Sequence, residues 1–77
     1  MTISDEQLLM DIHNTELEIG AYDKLQDGFL TLSHLPENIE SGQANLYDVY
    51  HVRYRDLKSQ CFELLEKLVI LKSKRGL

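Results

Sequence analysis

Between Tyr47 and Leu71 the apolar positions fall at Tyr47, Tyr50, Tyr54, Leu57, Cys61, Leu64, Leu68 and Leu71. The spacing alternates between three and four residues without a break. That alternation is the a/d seam of a coiled coil, one stripe of a long helix facing a partner helix. A second, weaker seam precedes it: Leu8, Ile12, Thr15, Ile19, Tyr22, Gln26 and Phe29. Thr15 and Gln26 interrupt its apolar character. Ser4, with Gln7 three residues on, is a capping-box pattern for the start of this first helix. Asp5 and Glu6 suit its first turn, where the helix dipole favours anions.

Residues 33–43 break both periods. Pro36 pushes Leu35 out of the helical region, and Gly42 is a second punctuation mark. The pattern therefore predicts an all-α chain of one domain, residues 1–77: helix about 5–32, loop about 33–43, helix about 44–73. Leu35 and Ile39 are expected to fold back over the loop end, and Asn45 or Ser41 to cap the second helix. Gly76 follows a basic last turn and is the expected residue just past its end.

A turn centred near Asn38 makes the helices antiparallel and pairs Phe29 with Tyr47, Tyr22 with Tyr54, Thr15 with Cys61, Ile12 with Leu64 and Leu8 with Leu68. In that register Glu18 faces Arg53, Asp23 faces Lys58 and Asp11 faces Lys67. Leu9 meets Leu65, and Leu25 meets Leu46. The expected architecture is an antiparallel two-helix hairpin, coiled-coil-like, that dimerises into a four-helix bundle.

Charge supports the folding back. Residues 5–32 carry seven carboxylates against Lys24 alone, whereas residues 44–77 carry seven Lys and Arg against four carboxylates. The net charge of −5 argues against nonspecific binding to nucleic acid or to a membrane surface. No apolar run reaches the length of a membrane span; the longest, Leu68 to Leu71, stops at Lys72. The single cysteine permits no internal disulfide. Together these features predict a cytoplasmic protein.

Chemistry for catalysis is thin. His13 and Glu16 are three apart, as are Asp48 and His51, a spacing that resembles half of a di-iron bundle site. The hairpin register holds those two pairs far apart, so no metal is expected. Cys61 has no histidine at helical spacing, and phosphate-binding glycine loops and paired cysteines are absent from the sequence. The sequence predicts no enzyme activity and no cofactor.

What remains is surface. Apolar residues outside the seams, Leu9, Phe62, Leu65 and Val69, exceed what a hairpin needs, and such a surplus marks an interface. Tyr47, Tyr50 and Tyr54 make the loop end aromatic, with wet hydroxyl tips suited to recognition. Val49 and Val52 form a smaller outer set, and Gly20 and Gly28 lie at outer positions of the first helix. The expected function is non-catalytic protein binding, as adaptor, chaperone or inhibitor, by a homodimer that takes a further protein partner. A second reading uses the acidic row on the first helix, Asp11, Glu16, Glu18 and Asp23, to imitate a nucleic-acid backbone and block a basic groove.

Overall fold

A computed structural model describes residues 2–77. Three helices follow one another: α1 (Asp5–Ser33), α2 (Pro36–Ser41) and α3 (Ala44–Lys74). The two long ones lie antiparallel along their whole length, a rod of 55 × 17 × 14 Å. Its radius of gyration is 17.1 Å, against about 11 Å for a compact chain of this length. Among the described residues there is no strand.

The helix ends follow from local chemistry. Ser4 is the N-cap of α1, its hydroxyl accepting from the Gln7 backbone N–H at 3.1 Å. The Gln7 side chain does not return the bond, since its amide donates to Asp11 Oδ1 at 2.7 Å instead. The capping box is therefore only half formed. At the other end of α1, the Asn38 side-chain amide donates to the Leu32 carbonyl at 2.8 Å, adding to the long bond that this carbonyl accepts from the Leu35 N–H at 3.4 Å.

The predicted loop is not irregular. Pro36 opens a six-residue helix there, with Leu35 extended before it (φ −70°, ψ 132°). Proline suits the first helical position, where no N–H is needed, and it forces the preceding residue out of the helical region. Gly42 ends α2 at φ 82°, a conformation that costs glycine nothing. The α3 helix then starts at once. Its N-cap is Gln43, with no side-chain bond, rather than Ser41 or Asn45. Leu35 is half-buried as expected, but Ile39 stays 60% exposed.

The α3 helix closes with a Schellman motif. Gly76 adopts φ 73°, its N–H reaching the Ser73 carbonyl at 3.0 Å and the Leu77 N–H the Lys72 carbonyl at 3.2 Å.

The register agrees with the seam prediction at the loop end. Tyr22 and Tyr54 stack with ring centroids 6.0 Å apart, and Phe29 and Tyr47 at 6.1 Å. Toward the free ends the α3 seam changes phase. Leu65 is half-buried while Leu64, the expected partner of Ile12, is 48% exposed. From Leu57 the inward positions run Cys61, Leu65, Leu68, with Leu71 and Lys72 sharing the next turn, then Arg75. Two consecutive steps of four form a stutter, which locally unwinds a coiled coil. On α1 the seam position Thr15 is buried, with its hydroxyl donating to the Asp11 carbonyl at 2.7 Å.

Only one of the three predicted charge pairs forms. Lys58 Nζ lies 2.9 Å from Asp23 Oδ1. Glu18 receives the Cys61 thiol at 3.6 Å rather than Arg53, and Asp11 has no ion-pair contact with Lys67. An unforeseen pair ties the free ends together, Arg75 to Asp5 at 3.0 Å. Long helical side chains point back toward their own N-terminus. Lys58 and Arg75 so directed lean toward the loop end, the side on which Asp23 and Asp5 lie.

Candidate functional site

A two-helix rod encloses little. Leu8 and Ile12 are the only apolar side chains that are buried among the described residues, with Thr15 beside them. Among the same residues fourteen large hydrophobics remain exposed, an unusual imbalance for a free-standing domain.

The surplus set predicted from sequence divides on inspection. Leu9 (44% exposed), Phe62 (52%) and Val69 (45%) stand in solvent. Leu65 is half-buried because the phase change draws it toward the seam. Phe62, Leu65, Val69 and Ile70 line an open groove of about 490 Å³ on α3, bordered by Glu63 and Glu66. All six residues belong to one helix, so the groove is an outer face and not a cleft between helices.

Sequence reasoning missed a second concavity. On α1, Leu25, Gly28, Phe29, Leu32 and Lys24 line a groove of about 210 Å³. The signal was present, since Gly28 sits among three apolar residues at helical spacing. A Cβ added to Gly28 would meet nothing within 4 Å, and the same holds for Gly20. Neither glycine is required by packing inside the hairpin.

The tyrosine end is one aromatic cluster. Phe29 lies at its centre, with ring centroids 5.2 Å from Tyr50 and 5.7 Å from Tyr54 as well as the contact with Tyr47. Tyr47, Tyr50 and Tyr54 are half-buried. Their rings pack across the seam on Phe29, and that of Tyr54 also on Tyr22, so much of the area offered for recognition is spent on holding the hairpin together. Val52 is half-buried too, leaving Val49 as the exposed member of its pair.

Polar groups at the seam are few and specific. His51 Nδ1 stands 3.4 Å from the Gln26 main-chain carbonyl, and the Gln26 side-chain oxygen is buried without a partner. Cys61 is half-buried and free. Burial pushes its thiol pKa up, and the hydrogen bond to Glu18 and that carboxylate's charge push the same way. Each effect favours the protonated, unreactive form.

The acidic row on α1 is partly engaged. Asp23 is paired with Lys58, Asp11 accepts from Gln7, and Glu18 accepts from Cys61. Glu16 alone of the four has neither contact and is exposed. Among the described residues no three His, Cys, Asp or Glu side chains gather as metal ligands, and no helix is long and apolar enough to cross a membrane. Comparison with protein-family models, curated proteins and solved structures gives no match to this chain.

Proposed function

We propose that the chain is a non-catalytic protein-binding module, an adaptor, chaperone or inhibitor that works by presenting its apolar outer faces. The observation that carries this reading is the imbalance, among the described residues, between two buried apolar side chains and fourteen exposed ones. A chain of this size rarely stands on so small a core without a partner. Self-association into a four-helix bundle is the arrangement that closes the open sides of the hairpin. A further protein then meets what the bundle leaves uncovered, the tyrosine end included.

The test is Phe62→Asp, compared with the native chain by light scattering and by affinity capture from native lysate. Phe62 is half in water, so the hairpin keeps its helicity. Loss of assembly or of captured protein is the expected result. An unchanged mass together with an unchanged set of captured proteins would refute the reading.

Imitation of nucleic acid by the α1 carboxylates is the weaker alternative, because Asp23 already has a cation of its own chain beside it. Reversing Asp11, Glu16 and Glu18 to Lys would abolish an activity of that kind. Activity indifferent both to this reversal and to salt would exclude it.

A further inference from the structure

We propose that the groove floored by Gly28 on α1 receives the Phe62 face of α3 from a second copy, so that the chain binds itself through two different surfaces. The inference rests on the reading that the exposed apolar faces are interfaces, and it names what one of them holds.

Gly28 is the first reason. A glycine inside a helix costs about 1 kcal/mol relative to alanine. Its φ is not positive, and nothing in the hairpin occupies the space where a Cβ would stand. The hairpin gains nothing from this missing side chain. A neighbouring chain does, because the gap between Leu25, Phe29 and Leu32 lets a bulky apolar group approach the helix closely.

Charge is the second. The α1 groove is bordered by one ammonium, Lys24, and by no carboxylate. The α3 face is bordered by two carboxylates, Glu63 and Glu66, and by no cation. None of the three forms an ion pair among the described residues. Apolar surface meets apolar surface, and the rims carry opposite signs.

Area is the third. A globular chain of 9.0 kDa is expected to expose about 4,850 Å². The hairpin exposes 5678 Å². The excess of about 800 Å² belongs to the whole elongated rod, and it is of the size that one partner gives up in a standard interface. With so little core of its own, the chain needs its cover as soon as it folds. A second copy satisfies that requirement without any other molecule.

The groove lies near the loop end and the Phe62 face near the free ends. The two rods therefore lie head to tail, loop end of one beside the free end of the other, and a two-fold pair makes the contact twice, groove to face in both directions. Two single-cysteine variants test it, Gly28→Cys and Phe62→Cys, each also carrying Cys61→Ser. Mixed and oxidised, they are expected to give the cross-variant disulfide several-fold more than either same-variant disulfide. Only same-variant disulfides, or none while light scattering reports an assembly, would overturn the proposal.

Gly28→Leu is the second arm. It is expected to weaken self-association at least ten-fold and to make the thermal midpoint fall more steeply on dilution than that of the native chain. Unchanged association would also overturn the proposal. A chain that stays monomeric, yet loses captured protein on Phe62→Asp, sinks this inference and leaves the protein-binding reading intact.

Discussion

The two ends of the rod solve the same packing problem with different residues. At the loop end, Phe29 and the tyrosines fill the seam with rings, and none of them is fully buried. At the free ends, Leu8 is wholly buried and Ile12 and Thr15 nearly so. Rings long enough to bridge the seam carry their edges and hydroxyls out to water. Short aliphatic chains stop inside it. The loop end is thus held by stacking and by a covalent turn, whereas the free ends depend on aliphatic side chains, Leu8 and Ile12 on α1 with Leu65, Leu68 and Leu71 on α3, and on one ion pair.

Exposed ion pairs are worth only about 0–1 kcal/mol, so the free ends are the more fragile half. The difference teaches that burial in a thin rod depends on how far each side chain reaches, and not on hydrophobicity alone. It also places the larger of the two grooves described above on the half that carries no aromatic cluster.

Leu8→Ala is the most damaging way to test that contrast. Removing a fully buried leucine should cost about 3 kcal/mol, read by chemical denaturation at fixed protein concentration. Hydrogen exchange should quicken first around residues 5–15 and 65–75, while the loop end stays protected. Uniform loss of protection along the rod would mean that the two ends unfold as one unit.

Phe29→Leu should cost less, about 1–2 kcal/mol, because the leucine keeps an apolar group in place and gives up the aromatic contacts. Its signature is a loss of near-ultraviolet tyrosine ellipticity out of proportion to the loss of helicity. A change as large as that of Leu8→Ala would refute the idea that the rings share their burden.

The smallest effect lies at the layer between the ends. Folding raises the Cys61 pKa above its unfolded value. The thiol in the unfolded chain then ionises first as pH rises, so stability should fall slightly above the ordinary thiol range and be flat below it. Alkylation of the folded chain should have its midpoint above that of a free thiol. Glu18→Gln should bring the midpoint down, since it removes the carboxylate charge, and an unmoved midpoint would exclude Glu18 as a cause.

Much of this fold was legible in the sequence. Alternating steps of three and four residues located both long helices, Pro36 and Gly42 marked the turn, and the count from Asn38 placed Tyr22 against Tyr54. The phase change was not legible. Leu64 and Leu65 are adjacent and both apolar, so the heptad count continued through Leu64 without a fault. Nor did the pattern distinguish a loop from α2, because six residues are too few for a helical period to show. The paired charges were misjudged where side-chain reach mattered more than the position of the backbone. Of the candidate surfaces, Leu9, Phe62 and Val69 were readable as surplus. The α1 groove was passed over, although Leu25, Phe29 and Leu32 stand around Gly28, because a glycine reads as a cost until the space around it is seen.

The two steps of four at Cys61 and Leu65 also fix how such a rod can change length. Excising residues 61–64 would turn the inward positions of α3 into an unbroken heptad, with Leu57 followed directly by Leu65 at the right interval. Growth by seven residues in each long helix would be tolerated on either side of this point. Across it, the two segments are rotated relative to one another, so the rod is assembled from two separately measured lengths.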